Sequence, residues 1–328
     1  MVRTDIKDAL ELDRRLVLEF VRVTEAAAIA CSPLIGRGDT DGADARAVAA
    51  MRDAFDRVPI RGTVVIGEGE RDEAPMLYIG EQVGPARMDL PEVDIAVDPL
   101  EGTNLCAEGG PGALAVMAVA NRGCLLNAPD TYMQKLATGP EGIGVVSLAK
   151  TPTENVHALA EVKGRKVSEI AVVVLERDRH RDLVAELRGA GARVFLISDG
   201  DVAPAIATCV ADSGIDMVYG TGGAPEGVLA AAALHCLGGC FQGRLQWRST
   251  EERERAIGMG LKDPDRHLEM GDLVQGEVIF VATGVTKGPM LDGVRRVGDR
   301  LHLQTMALRA STGTRRLVET TVRADRFV

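Results

Sequence analysis

A regular alternation of β-branched runs and amphipathic segments over 168–237 constrains this chain more than any other feature. The order is strand over 170–175, helix over 179–189, strand over 193–197, helix over 202–210, strand over 216–219, and a helix opening at Pro225. Strands that return through helices run parallel with right-handed crossovers, and a parallel sheet needs helices on both faces. The segment predicts an α/β lobe whose strand ends carry Arg177 and Arg179, then Asp199 and Asp201, then a glycine turn, all facing one cleft.

The earlier part reads as α+β. Apolar positions among charges predict helices over 6–30 and 44–58, with Asp44 in the first turn of the second. Runs at 63–66, 93–97, 113–120 and 145–148 predict strands, and 153–162 predicts a helix. Towards the end, 278–282, 302–308 and 317–322 predict strands added antiparallel to an existing sheet. At 328 residues and 46% hydrophobic, the chain exceeds one compact domain, so two lobes are expected, 1–163 and 164–328, meeting near Lys163-Gly164-Arg165.

A formal net charge of −10 argues against nucleic acid as the main partner, because phosphate neutralisation needs basic surface. The first fifteen residues are charged and lack an apolar core, so neither a secretory signal nor an anchor is expected, and no run reaches membrane-span length. The six cysteines show no zinc or disulfide spacing, which points to a cytoplasmic location.

Acids then gather at strand ends. Asp98-Pro99-Leu100-Glu101-Gly102-Thr103 follows the run 93–97, and Pro99, lacking an amide donor, is expected to end that strand. Gly67-Glu68-Gly69-Glu70-Arg71-Asp72-Glu73 follows the run 63–66 and packs four acids into seven residues, whose repulsion a divalent cation relieves. Tyr219-Gly220-Thr221-Gly222-Gly223-Ala224-Pro225-Glu226-Gly227 is a glycine-rich turn into a helix, with free amides at 222–226 for phosphate oxygens and Glu226 complementing the helix dipole. Taken singly, each is also explained as an acidic turn or a helix start. Carboxylate oxygens suit magnesium or manganese, and two such ions serve an in-line displacement at phosphorus.

These motifs resemble class II fructose-1,6-bisphosphatase. The resemblance runs over 16–316 and also takes in Leu126-Asn127-Ala128-Pro129-Asp130, Asp199-Gly200-Asp201-Val202-Ala203 and Ala282-Thr283-Gly284-Val285-Thr286-Lys287-Gly288. The family is similar to the wider lithium-sensitive sugar phosphatases, whose turn ends in Asp-Gly-Thr where this chain has Glu101-Gly102-Thr103. The resemblance implies a layered α-β-α-β-α fold and hydrolysis of the 1-phosphate of fructose 1,6-bisphosphate in gluconeogenesis, with no membrane partner and a homo-oligomer, dimer or tetramer.

By the same resemblance, Asp44 and Glu68 hold one divalent ion, and Asp98, Glu101 and Glu226 hold a second, Mn2+ or Mg2+. Gly102, Thr103, Tyr132, Arg177, Arg179, Asp199, Asp201 and Gly223 contact substrate, Thr103 orients the attacking water, and Asp72 supports it. The guanidinium forks of Arg177 and Arg179 suit the phosphate that stays. The chain departs from the family pattern at Thr40-Asp41, Asn104 and Arg177. Alternatives are a dual enzyme that also takes sedoheptulose 1,7-bisphosphate, an inositol or nucleotide phosphatase, and a non-catalytic sugar-phosphate sensor. A P-loop kinase is excluded, because no G-x-x-x-x-G-K-[ST] is present.

Overall fold

The computed structural model describes residues 14–69 and 76–326. In chain order the first elements are α1 (Val17–Cys31), α2 (Thr40–Phe55), β1 (Arg61–Ile66), β2 (Gln82–Val83), β3 (Glu92–Glu101), α3 (Thr103–Glu108), β4 (Leu114–Asn121), β5 (Tyr132–Thr138) and α4 (Pro152–Val162). The alternating segment follows as β6 (Ala171–Leu175), α5 (Arg181–Gly189), β7 (Arg193–Ile197), α6 (Val202–Ala207), β8 (Met217–Gly223) and α7 (Ala224–Leu237). The chain continues through β9 (Cys240–Gln246), α8 (Thr250–Gly258), β10 (Leu268–Glu269) and α9 (Met270–Leu273). Four strands close it, β11 (Val278–Gly284), β12 (Arg295–Val297), β13 (Arg300–Arg309) and β14 (Thr314–Arg323).

These elements stack as α-β-α-β-α, and the pleat of the strands explains why. Ile95, Val97, Met117, Val119, Ile279 and Val281 point to one face of the first sheet, where they bury Phe20, Val23 and Ala27 of α1 with Met51 and Phe55 of α2. Their neighbours Ala96, Val116, Ala118, Phe280 and Ala282 point the other way, onto α6 and α7. The far side of that helical layer meets Met133, Ala137, Val173 and Val218 of the second sheet. Leu136, Val172, Val174 and Met217 turn outward again beneath α4 and α5. Helix α7 is apolar nearly all round, as a helix between two sheets must be, and it carries Glu226 in its first turn into that interior.

The eight-stranded first sheet has the order β12-β13-β11-β4-β3-β1-β2, with β14 beyond β13. Strands β1 and β3 are parallel, and the chain's last strands join antiparallel, β11 to β4 and β13 to β11. The second sheet runs β10-β9-β5-β8-β6-β7. Its members β7, β6 and β8 are parallel, as the alternation predicts, whereas β5 is antiparallel to β8 and β9. The sheet is therefore mixed. The two sheets exchange chain across position 163: β5 precedes it and lies in the second, while β11 to β14 follow it and lie in the first.

Four local expectations are corrected. Helix α2 begins at Thr40, capped by the Asp39 carboxylate on the Gly42 N–H at 2.9 Å, so Asp44 stands in the second turn. Strand β3 does not end at Pro99; its pairing with β4 slips between Asp98 and Glu101 and resumes at Glu101. Residues 145–148 form no strand. The Ser147 and Leu148 amides are instead taken by the side chains of Asn155 and Gln242, both at 2.8 Å, while Val146 and Leu148 still bury into the outer core. Finally, 220–223 form no turn but the end of β8, paired with Tyr132 to Lys135 of β5, a strand whose own apolar pattern a buried lysine, Lys135, interrupts.

Candidate active site

The slip in β3 shapes the first wall of the site. Pro99 has no amide to give the ladder, and the Asp98 carboxylate accepts the Leu100 N–H at 3.1 Å, closing a short turn. Gly102 takes a left-handed conformation, φ 82°, that reverses the chain so that α3 starts at Thr103. The Thr103 hydroxyl donates to the Leu100 carbonyl at 3.0 Å. Glu101 is almost wholly buried, and one of its oxygens accepts the Val202 N–H at 3.0 Å, tying the turn to α6 in the helical layer between the sheets.

The remaining acids approach from three other elements: Asp44 from α2, Glu68 from just beyond β1, and Glu226 from the start of α7. Each lies in the field of the others. Burial followed by repulsion from Asp44, Glu226 and Asp130 pushes Glu68 up to about 8. Burial also lifts Glu101 to about 8, against the opposing Val202 N–H. Desolvation and then Glu68, Glu226, Glu101 and Asp44 hold Asp98 well above the carboxylate range. Asp44 is raised by burial and Asp41, and Glu226 by burial against the attraction of Lys135.

Among the described residues, no three such side chains are drawn together as tightly as a metal-holding group. The donor chemistry nevertheless fits a hard divalent cation. Every donor is a carboxylate oxygen, and Glu101 Oε2 and Glu226 Oε2 are buried atoms with no hydrogen-bond partner. Gly223 makes room for the second of these, since a Cβ there would stand 2.1 Å from it. Asp72 lies outside the described residues.

Against this acidic wall opens a cleft of about 190 Å³. Gly102, Tyr132, Arg177, Arg179, Asp199, Asp201 and Gly223 line it, together with Glu101 and Glu226; Thr103, Asp44, Glu68 and Asp98 do not. Arg177 donates to the Ser198 carbonyl at 2.7 Å and stands 4.0 Å from Asp199. Arg179 donates twice to the Thr221 carbonyl, at 3.1 and 2.7 Å, and its guanidinium lies 5.0 Å from the centre of the Tyr132 ring. Both arginines are thereby aimed before any ligand arrives.

Sequence reasoning passed over several residues that support this wall. Lys135 pairs with Asp201 at 2.7 Å. His180 accepts the Thr221 N–H at Nε2, 2.8 Å, and so carries its proton on Nδ1 toward the Leu175 carbonyl at 2.7 Å. The lysine's signal was its charge inside a strand. His180 had none, since its partners are backbone groups.

A family model described as bacterial fructose-1,6-bisphosphatase, glpX-encoded, matches residues 14–322. The chain belongs to this bisphosphatase family. It is 45% identical over 332 residues to the D-fructose 1,6-bisphosphatase class 2/sedoheptulose 1,7-bisphosphatase of Synechococcus sp. (strain JA-3-3Ab), covering 94% of this chain and 96% of the relative. It is 46% identical over 327 residues to the fructose-1,6-bisphosphatase 1 class 2 of Escherichia coli (strain K12), covering 95% of this chain and 96% of the relative. In this bisphosphatase two side chains meet at one acid: Asn104 donates to Asp199 Oδ2 at 3.1 Å, across the acid from Arg177. Among the described residues, no helix is long and apolar enough to cross a membrane.

Proposed function

We propose that this chain is a metal-dependent phosphatase that hydrolyses the 1-phosphate of fructose 1,6-bisphosphate to fructose 6-phosphate and phosphate. The observation that carries the reading is the pairing of two walls in one cleft, unpartnered carboxylate oxygens of Glu101 and Glu226 facing the guanidinium groups of Arg177 and Arg179. Asp44 and Glu68 would hold one ion and Asp98, Glu101 and Glu226 another. When bound, magnesium or manganese supplies positive charge for the phosphoryl oxygens and makes water acidic enough to attack.

The chain's own residues do the rest. The Thr103 proton is committed to the Leu100 carbonyl, which leaves the Thr103 oxygen to accept from the attacking water and orient it. Asp72, outside the described residues, keeps the supporting role that the resemblance implies. Arg177 and Arg179 bind the phosphate that is not cleaved, Tyr132 covers the sugar, and Asp199 and Asp201 accept from its hydroxyls, with the Gly102 and Gly223 backbone at the reacting end. Six free thiols accord with a cytoplasmic enzyme, and a homo-oligomer is the expected assembly.

The activities in the name of the Synechococcus relative favour a second reading, in which sedoheptulose 1,7-bisphosphate is also cleaved. Phosphate release from both sugars, with magnesium, manganese or neither, tests the two together. Turnover of the fructose compound only with metal, and its loss in Asp98→Ala and Thr103→Ala, is the expected result. Full turnover in a chelator overturns it.

A further inference from the structure

Arg248, between β9 and α8, has no part in the site drawn above, yet it contacts Tyr132 of the cleft and Asp130 two residues before it. Its guanidinium lies 5.7 Å from the centre of the Tyr132 ring, which Arg179 also approaches. Its Nη2 donates to the Asp130 carbonyl at 2.6 Å and stands 3.8 Å from the Asp130 carboxylate. Its Nε donates to Glu252, and its own backbone N–H donates to the other Glu252 oxygen at 2.9 Å.

Glu252 is 5% exposed and fully engaged. The same oxygen that takes the Arg248 amide lies 2.8 Å from the Thr131 hydroxyl. Thr131 in turn receives the Ala224 N–H on its carbonyl at 2.7 Å, at the first residue of the helix that bears Glu226. Asp130, Thr131 and Tyr132 are therefore held from behind by one ion pair, Arg248 with Glu252.

We propose that Arg248, locked by Glu252, is a positioning residue that fixes the Tyr132 ring against Arg179 and so sets the affinity of the cleft for a sugar bisphosphate. The inference rests on the phosphatase reading above. Tyr132 is 38% exposed, so its ring is not held by packing alone, and a guanidinium near an aromatic ring supplies a directional hold. A planar fork reaches Glu252, Asp130 and the ring together; a compact ammonium group does not span all three.

Calorimetric binding of fructose 1,6-bisphosphate and steady-state kinetics, on wild type, Arg248→Ala, Arg248→Lys, Tyr132→Leu and the double variant Arg248→Ala/Tyr132→Leu, test this. Arg248→Ala and Arg248→Lys are expected to weaken binding and raise KM about two- to fivefold, with kcat within about twofold of wild type. In the Tyr132→Leu background, Arg248→Ala is expected to add nothing, because the two act as one unit. An additive second effect, an unchanged KM, a defect confined to kcat, or full rescue by lysine overturns the proposal. Wild type that binds the bisphosphate but releases no phosphate overturns the phosphatase reading alone; wild type that does neither overturns both.

Discussion

Lys135 holds both oxygens of Asp201, 3.0 Å to Oδ1 and 2.7 Å to Oδ2, where each residue is almost fully buried. The lysine rises from β5, the aspartate stands just before α6, and Gly222 between them leaves no room for a side chain, since a Cβ there would lie 2.7 Å from Asp201 Oδ2. Asp201 also faces the cleft beside Glu101 and Glu226. The pair therefore sets a lysine against one acid of a wall whose other carboxylates, Glu101 and Glu226, burial pushes up. Removing the lysine strands a buried charge, so Lys135→Met is expected to cost about 3–5 kcal/mol in urea unfolding at neutral pH. Adding Asp201→Asn is expected to restore part of that loss. A single variant within 1 kcal/mol of wild type would show that the pair bears no such weight.

The proposed metal ligands make a thermal prediction that does not depend on turnover. Manganese or magnesium at about a hundred times its dissociation constant is expected to stabilise the wild type by about 2.7 kcal/mol. Asp98→Ala and Glu226→Ala are expected to lose that shift in calorimetry, and phosphate release is expected to fall on the order of a hundredfold or more. Undiminished metal stabilisation in both variants would remove these residues from the ligand set.

His180 gives a pH dependence. Burial, with repulsion from Arg179 and Arg177, holds its pKa below 6.5, and the neutral ring accepts the Thr221 N–H. The folded state thus binds the proton less readily than the unfolded chain, and the stability this contributes is present above pH 6.5 and is lost as pH falls through the folded value. Protonation releases Thr221, whose carbonyl aims Arg179, so KM for fructose 1,6-bisphosphate is expected to rise on the acid side of 6.5. His180→Gln is expected to flatten that limb; an identical acid limb in the variant would falsify the link.

Asn104 is exposed, and its bond to Asp199 is a single solvent-accessible contact. Asn104→Ala is expected to raise KM by at most about fivefold with kcat unchanged, in line with about 1 kcal/mol for such a bond. An equal fall in kcat would place Asn104 nearer the chemistry than its geometry does.

Much of the architecture could be read from local pattern. The order of β6 to α7 follows from residue periodicity, and the two apolar faces of β3, β4 and β11 follow from runs that both neighbouring layers bury. The start of α7 at Pro225 was legible for the same reason, since proline is pre-set for a first helical turn, whereas the glycines before it, expected as a turn, belong to β8. Strand β5 was not, because the burial of Lys135 depends on a partner 66 positions away. Residues 145–148 misled for the converse reason: their amides bond to the side chains of Asn155 and Gln242, which no alternation reveals.

By itself, then, the sequence determined the alternation of helix and strand, the acidic turns at strand ends and the family to which the chain belongs, all of which are properties of neighbouring residues. Only the tertiary structure decided that β5 lies antiparallel beside β8, that Glu101 reaches across to α6, and that Arg248 and Glu252 stand behind Asp130, Thr131 and Tyr132. Thr131 and Glu252 are 121 positions apart, and Arg248 and Asp130 are 118. Contacts at that range arise from how two sheets and the helices between them close, and they leave no mark on the local pattern of either residue.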